Sequence, residues 1–460
     1  MTNKKIFIYM LFIAIEIVSV VTNIAIADPI CTSLPNSLIN KPLTLIELSD
    51  IALSCNPNIR TSWAQVKLSL ANLGASYSSY WPKLNGTYNY NSYKDSVKQS
   101  TANSNGKRQI TYGPGISLNY LIWDFGVRTN QKKAAEFQLQ ATKLTQSATF
   151  QQIILQVEEA YYQSVWQKAL VLSAQDSLKE NKVNLKAAKQ LRKQGMATIG
   201  DVYQAESALS QAELTLEQSK GTLKITEGQL ASAIGLSVQT PIKLMHIPDN
   251  VKTKPILKSM DELLKFAKEN RPDFLAMEEQ VKAAAYQLSA SYWRDLPTLE
   301  LNTINQRTYS KNLQLNGRSN SVGLLINVPL FSGFSREYAI LQAEAQKEQI
   351  EAQRDVLSQE IDFQVWQSYF ALKTAAKSID TNQKMLKSNQ QAAKQTYGQY
   401  KSGIGNILNV LTTEATLSKT RSQLIQAKLN WYTTLAQLVA ALGKIDIPTN
   451  IINNYEHKQK

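Results

Sequence analysis

The longest regular pattern in the chain is a helical repeat of apolar positions from Val127 to Gln194, a stretch without glycine or proline. Apolar side chains recur there at helical spacing, as at Ile153, Val157 and Tyr161. Glycine and proline disfavour a helix interior by about 1 and about 3 kcal/mol, so their absence favours one continuous helix. At about 1.5 Å per residue this helix would be ~100 Å long and would need packing partners along its whole length.

Two short helices and two strands are predicted before the long helix. The helices span Leu43 to Leu53 and about Asn58 to Ser79. Next, Leu84, Tyr88 and Tyr90 alternate with polar residues, which is the period of a strand. A polar segment, Lys94 to Gln109, leads to a second strand that we expect to begin near Gly113-Pro114-Gly115. The apolar face of this second strand comprises Ile116, Leu118, Tyr120 and Ile122.

The whole series of elements occurs twice, which indicates an internal tandem repeat. Trp123 corresponds to Phe331, Gly195 to Gly403 and Gly235 to Gly443. A second helix without glycine or proline starts at Ser335, and each long helix is followed by a glycine-containing turn and a return helix. The predicted segments are a signal peptide (1–27), a first repeat (28–240), a connector (241–255), a second repeat (256–443) and a polar C-terminal tail (444–460).

The first residues have the three parts of a secretory signal peptide. Lys4 and Lys5 precede an apolar run from Ile6 to Ile15, and Ala25-Ile26-Ala27 forms a cleavage site. No later segment has the ~18 apolar residues that a membrane-spanning helix requires. The mature chain is therefore expected to be exported.

The two cysteines, Cys31 and Cys55, lie near the mature N-terminus. In an oxidising compartment they are expected to form a disulfide. A lipid on Cys31 and two free thiols are the alternatives.

Composition excludes several classes of function. The net charge is +14, but the basic residues are distributed along the helices rather than clustered, so no nucleic-acid partner is expected. The two histidines are far apart in sequence, and the cysteines lack zinc-site spacing. No catalytic constellation is present, and we expect neither enzymatic activity nor a cofactor or metal.

The fourth predicted strand has the alternation of a transmembrane β-strand. Its apolar face comprises Val322, Leu324, Ile326, Val328 and Leu330. A soluble two-sheet packing would give the same pattern in a single strand. Open sheet edges are not tolerated in lipid, so four strands from one chain cannot span a membrane alone. Two chains would give a barrel filled by its own side chains, whereas three chains give twelve strands and an open lumen.

The duplicated layout resembles the TolC-like outer-membrane efflux protein family, and the resemblance covers nearly all of the mature chain. It is carried by the strand-to-helix junctions Leu121-Ile122-Trp123-Asp124-Phe125-Gly126 and Pro329-Leu330-Phe331-Ser332-Gly333-Phe334. The two hairpin turns resemble a family pattern of glycine, three variable residues, isoleucine, one residue, aspartate and valine, with Asn409 at the aspartate position of the second turn. These turns read Gly195-Met196-Ala197-Thr198-Ile199-Gly200-Asp201-Val202 and Gly403-Ile404-Gly405-Asn406-Ile407-Leu408-Asn409-Val410.

The resemblance implies an α+β membrane protein: a homotrimer with a 12-stranded transmembrane β-barrel in outer-membrane lipid, four strands per chain, continued by a long periplasmic α-helical barrel. It also implies a tripartite exporter with a periplasmic adaptor protein and an inner-membrane pump. The adaptor-docking tips would be Gly195, Met196, Ala197, Thr198, Ile199, Gly403, Ile404, Gly405, Asn406 and Ile407.

The periplasmic gate departs from the family pattern. Asn409 and Thr412 occupy positions where some members carry aspartate rings, and Gly405 replaces a clamping arginine. Asp201 and Tyr400 match positions that pair between neighbouring helices in the family. We therefore expect a gate held by hydrogen bonds among Asp201, Tyr400 and Asn409.

The primary prediction is a passive conduit that exports drugs or other substrates. One alternative is an outer-membrane duct dedicated to type I protein secretion. The other, from a different class, is a periplasmic adaptor or structural coiled-coil protein. An adaptor would carry one hairpin inserted in a compact β-domain, whereas this chain has two hairpins that alternate with two strand pairs.

Overall fold

The computed structural model describes residues 41–94, 108–245, 259–311 and 316–444. The predicted signal peptide, Cys31, most of the connector, both histidines and the tail after Lys444 lie outside these residues. In chain order the elements are α1 (Leu45–Cys55), α2 (Pro57–Ser78), β1 (Lys83–Lys94), β2 (Arg108–Trp123), α3 (Val127–Lys193), α4 (Ile199–Ala233), α5 (Met260–Asn270), α6 (Pro272–Trp293), β3 (Thr298–Ser310), β4 (Gly317–Asn327), α7 (Ser335–Lys401) and α8 (Ile407–Ala441). The order of elements in the first half therefore recurs in the second.

The first helix begins two residues later than the sequence predicts. Thr44 is its N-cap, and a reciprocal pair of hydrogen bonds joins Thr44 to Glu47, so the backbone N–H groups of the first turn are satisfied. Leu43 is extended instead and donates its backbone N–H to the carbonyl of Lys243 at 2.8 Å. This bridge attaches the start of the described chain to the connector between the repeats.

The four strands form one antiparallel sheet in the order β1-β2-β3-β4. Lys83 lies opposite Asn119 in β2, and Thr298 lies opposite Asn327 in β4. The central pair, β2 and β3, joins the two repeats although a complete helical hairpin separates them in sequence. Within one chain β1 and β4 are the edges, and each presents unpaired backbone groups on its outer side.

The glycine-proline-glycine segment lies inside β2, so the prediction that it starts this strand is wrong. Gly113 and Pro114 pair with Asn89 and Tyr88 of β1, but the β2–β3 register passes over both of them. Proline has no N–H to donate to a second neighbour, which explains the interruption. A Cβ atom at Gly113 would lie 1.8 Å from the Arg307 carbonyl oxygen, so only glycine permits this approach of β3.

The fourth strand ends at Asn327, earlier than its apolar alternation predicts. Val328 and Leu330 follow it as exposed residues of the junction with α7. Pro329 separates them and cannot donate to a ladder, which accounts for the early end of the strand. Within the strand, Val322, Leu324 and Ile326 are all exposed, so the predicted apolar face is uncovered in a single chain.

An arginine clasp fixes the direction in which α3 leaves the sheet. Arg128 donates from Nε to Asp124 at 3.0 Å and from its other guanidinium nitrogens to the carbonyls of Leu121, Ile122 and Ser79. The second junction has Ser332 in place of the aspartate, and Arg336 donates there to the Tyr292 carbonyl at 3.1 Å. An arginine at the matching position therefore stabilises the strand-to-helix junction of each repeat. It pairs with an aspartate in the first repeat, and serine replaces that aspartate in the second.

The helices form two antiparallel hairpins that pack side by side. Helices α3 and α7 have 67 residues each, and α4 and α8 have 35 each. Helix α3 packs against both α4 and α8, so a seam between α3 and α8 joins the hairpins. Nearer the sheet, α2 and α6 lie alongside the long helices. Among the described helices, none combines the length and the apolar character needed to cross a bilayer.

Candidate functional site

The turn between α3 and α4, here called the first tip, is built from backbone bonds and a cap. Gly195 has φ +73° and its N–H bonds to the Arg192 carbonyl, while the Met196 N–H bonds to Leu191. Glycine reaches this left-handed conformation without strain, which explains its position at the end of the helix. Thr198 then caps α4 and exchanges hydrogen bonds with Asp201 at 2.8 and 3.2 Å.

The turn between α7 and α8, here called the second tip, repeats this plan with different side chains. Gly403 has φ +74°, and the N–H groups of Ile404 and Gly405 both bond to the Gln399 carbonyl. Asn406 caps α8 by accepting the Asn409 N–H at 2.9 Å. The second tip has a one-way cap because Asn409 stands where the first tip has an aspartate.

The two tips lie against each other and share an apolar core. This tip core draws on all four long helices and contains Ala188, Leu191, Val202, Ala205, Tyr400, Ile407 and Val410. A Cβ atom placed on Gly403 would lie 3.5 Å from the Met196 sulfur, so the turns themselves are in contact. The structure thus brings together the two sets of residues that the sequence predicts as docking tips.

The predicted docking residues divide into exposed and buried groups. Met196 and Ile404 are exposed, the latter by 83%, and Ile199 is exposed by 42%. Ala197 packs against the tip core, and Ile407 is only 1% exposed. Ile407 is therefore a core residue of the tip in this structure, whereas Met196, Ile199 and Ile404 provide an apolar surface at its end.

The predicted gate bonds are not formed within one chain. The Asp201 carboxylate is engaged by Thr198, and the Tyr400 hydroxyl is buried without a hydrogen-bond partner among the described residues. Burial, with a smaller contribution from the nearby Asp201 charge, raises the pKa of Tyr400. Asn409 and Thr412 are exposed. The gate formed by these groups stays a prediction.

A charged cluster in the seam between α3 and α8 escaped the sequence analysis. Arg421 of α8 makes two hydrogen bonds of 3.0 Å to the two carboxylate oxygens of Glu180 in α3. Glu414 lies beside them, and its Oε2 atom is buried without a hydrogen-bond partner. Burial and the neighbouring Glu180 charge raise the pKa of Glu414 to about 7. A comparison of the two repeats could have indicated this cluster. Lys189 lies opposite Glu206 in the first hairpin, but the residue that corresponds to Lys189 in the second hairpin is Tyr397.

The predicted disulfide lies only partly within the described residues. Cys55 ends α1 and is not a free thiol, but Cys31 lies outside the described residues, so the predicted pair stays a prediction. Among the residues in the described ranges, no group of three or more His, Cys, Asp or Glu side chains is arranged to hold a metal ion.

Solved structures identify this architecture as the fold of the outer-membrane channels. The outer membrane channel CmeC of Campylobacter jejuni superimposes with a TM-score of 0.79 at 16% identity, covering 95% of this chain and 94% of that one. The outer membrane protein VceC of Vibrio cholerae gives a TM-score of 0.76 at 19% identity, covering 87% and 96%.

The sequence profile of the outer membrane efflux proteins matches residues 48–236 and 263–444. The chain belongs to the outer membrane efflux protein family, which confirms the predicted family and its outer-membrane location. Protein CyaE of Bordetella pertussis is 25% identical over 417 residues, which are 88% of this chain and 84% of that protein. The outer membrane efflux protein BepC of Brucella suis is 24% identical, covering 85% and 83%. The proteases secretion protein PrtF of Dickeya chrysanthemi is 20% identical, covering 87% and 88%.

Proposed function

We propose that three copies of this chain form a passive conduit through the outer membrane and into the periplasm. The observation that carries this proposal is the open four-stranded sheet, whose edges β1 and β4 pair with no further strand of the described chain and whose β4 face exposes Val322, Leu324 and Ile326. Lipid cannot hydrogen-bond a free strand edge, so the edges must pair with other copies. Three sheets give twelve strands and a lumen wide enough for solutes.

The test is the mass of the assembly extracted from outer membranes. Native mass spectrometry of the full chain in detergent is expected to give three times the mass of one mature chain. A variant with proline at Leu324, in the middle of edge strand β4, is expected to lose the assembly because proline removes a ladder donor. Proline at Lys94, at the end of β1, is the control and should leave the trimer intact. A monomeric native protein would overturn the proposal.

The tips would be the docking surface for a periplasmic adaptor that connects the conduit to an inner-membrane pump. Support comes from the apolar side chains Met196, Ile199 and Ile404, which are exposed at the end of the helical part farthest from the sheet. A photo-crosslinking residue at Ile404 is expected to capture one periplasmic protein in intact cells. The same residue at Leu172, which is exposed far from the tips, should not capture that protein.

The entrance would close through contacts of Asp201 with Tyr400 and Asn409 of the assembled trimer. Asp201→Ala should raise the leak conductance in planar bilayers. Thr198→Ala provides the control, because it removes the cap hydroxyl and leaves the Asp201 carboxylate in place. Equal leaks in both variants would show that Asp201 acts only as a helix cap.

A second candidate function within the conduit class is the export of proteins rather than small molecules. The observation that favours it is the similarity to PrtF, which is called a proteases secretion protein and matches 87% of this chain. The two candidates separate on the phenotype of a deletion strain. Loss of a secreted polypeptide with unchanged drug sensitivity supports the second candidate, and increased drug sensitivity with an unchanged secretome supports the first.

A further inference from the structure

The seam between the two hairpins contains an ionisable cluster directly above the tip core. Glu180 of α3 lies two turns from Ala188, and Glu414 of α8 lies one turn from Val410, both of which belong to that core. The cluster therefore lies between the four-helix tip and the rest of the helical wall. Any change in its charge acts on the contact that holds the two hairpins together.

The cluster contains one cation for two carboxylates. Arg421 gives both of its terminal nitrogens to Glu180, in the two-bond geometry that carboxylates prefer. Glu414 shares this environment but receives no hydrogen bond at Oε2 from any described residue. A neighbouring carboxylate disfavours the charged form of an acid, and together with burial the Glu180 charge raises the pKa of Glu414.

The other charged groups in the described surroundings of Glu414 are one acid and one exposed lysine. A cleft of about 320 Å³ beside it is lined by groups from three helices: Asp176, Lys179, Glu180, Val183 and Asn184 of α3, Tyr397 of α7 and Glu414 of α8. Asp176 adds negative charge, and Lys179 is exposed at the rim. The buried amide nitrogen of Asn184 has no partner within the described chain, and it does not bond to Glu414.

The first hairpin shows how this carboxylate is neutralised elsewhere. Glu206 occupies in α4 the position that Glu414 occupies in α8, and Lys189 of α3 pairs with it at 2.9 Å. In the second hairpin the residue matching Lys189 is Tyr397, which carries no positive charge. Both hairpins therefore have the acid, but the second hairpin, in which the acid faces the seam, lacks the matching lysine.

We propose that Glu180, Glu414 and Arg421 form a proton-binding lock between the hairpins, in which a proton on Glu414 keeps α3 packed against α8. Loss of that proton leaves two charged carboxylates in the seam with Arg421 as the one cation that bonds to them, and the excess negative charge loosens the seam above the tip. The lock makes the periplasmic part of the conduit sensitive to pH. Its effect on conductance rests on the proposed function, whereas proton binding itself does not.

The direction of the pH effect follows from the two states of Glu414. In the packed seam its pKa is about 7, and in an opened, hydrated seam it returns toward the ordinary value of about 4.5. The packed seam therefore binds the proton more tightly, so packing is strongest at low pH and weakens as the pH rises from about 4.5 to about 7. Each pKa unit between the two states changes the opening equilibrium about tenfold.

The first experiment detects the proton directly. Infrared difference spectra of the full-length protein in lipid, taken between about pH 6 and about pH 8, should contain a protonated-carboxyl band whose midpoint lies near pH 7. Glu414→Gln should abolish this band, and Glu206→Gln, the repeat-matched control, should retain it. Glu180→Gln removes the neighbouring charge and frees Arg421 to pair with Glu414, so it should lower the midpoint. A native spectrum without the band, or a band that persists in Glu414→Gln, overturns the proposal.

The second experiment measures the consequence for opening. In planar bilayers, the opening probability of the channel should rise about tenfold or more when the pH on the periplasmic side is raised from about 5.5 to about 8. Glu414→Gln should remove this dependence, and Glu206→Gln should preserve it. A carboxyl band without a pH-dependent conductance would refute the lock as a control on opening, while the absence of any conductance in all proteins would instead contradict the conduit.

Discussion

The two helical hairpins have the same plan, yet matching residues in them have opposite environments. Ile199 is 42% exposed at the first tip, and its counterpart Ile407 is 1% exposed at the second. At this position the first tip exposes its isoleucine to the surroundings, whereas the second tip buries the matching isoleucine among the four helices. Duplication has fixed the backbone path while the side chains acquired different tasks.

The difference extends to charge. The first hairpin neutralises Glu206 with Lys189 on its own partner helix, at an exposed position. The second hairpin directs Glu414 into the seam with α3, where Arg421 serves Glu180 instead. Exposed pairs contribute little to stability because water already solvates both ions. Charges in the seam are partly desolvated, so they affect how the hairpins separate.

The largest difference is expected between the two tip isoleucines. Ile407→Ala should lower the free energy of unfolding of the helical part by about 2–5 kcal/mol, because it leaves a cavity in a closed core. Ile199→Ala, at the matching exposed position, should cost less than about 1 kcal/mol. Chemical denaturation followed by circular dichroism measures both. Equal losses would contradict the different roles of the two tips.

A smaller difference is expected between the cations of the two hairpins. Arg421→Met should cost about 2 kcal/mol, since it leaves Glu180 and Glu414 without a counter-charge in the seam. Lys189→Met breaks the exposed pair with Glu206 and should cost about 0.5 kcal/mol. Thermal unfolding at neutral pH compares the two variants. A larger loss of stability in Lys189→Met than in Arg421→Met would contradict the claim that the seam charges contribute more to stability than the exposed pair.

The helix caps should give the smallest difference. Thr198→Ala removes half of a reciprocal cap and Asn406→Ala removes a one-way cap, and each should cost about 1 kcal/mol. Hydrogen exchange of the first turn of α4 and of α8 reports each loss locally. Faster exchange in α8 from Thr198→Ala would indicate that the two tips open together rather than separately.

Much of the architecture is predictable from the sequence because it depends on local pattern and on repetition. The long stretch from Val127 predicts α3 almost to its final residue, since length and periodicity leave no other element. The position of Gly113-Pro114-Gly115 was predicted wrongly because β2 is extended through this segment by its pairing with β1, on the far side of a polar segment. Local signals mark such a segment as a turn, while tertiary pairing extends β2 through it.

The candidate site is predictable only in part, for the same physical reason. Glycine, cap and isoleucine positions locate both tips, because turn chemistry is local. Burial of Ile407 and the seam cluster of Glu180, Glu414 and Arg421 depend on how one hairpin packs against the other. No spacing along the chain encodes that contact, although the exchange of Lys189 for Tyr397 between the repeats hints at an unpaired acid.

Single-channel conductance of the native protein in planar bilayers tests the central claim most directly. The purified full chain should insert to give uniform conductance steps, and Ile407→Ala should increase the open fraction because it weakens the core that holds the tips closed. Ile199→Ala should behave as the native protein does. Failure of the native protein to conduct, or an unchanged open fraction in Ile407→Ala, would contradict a conduit closed at its helical tips.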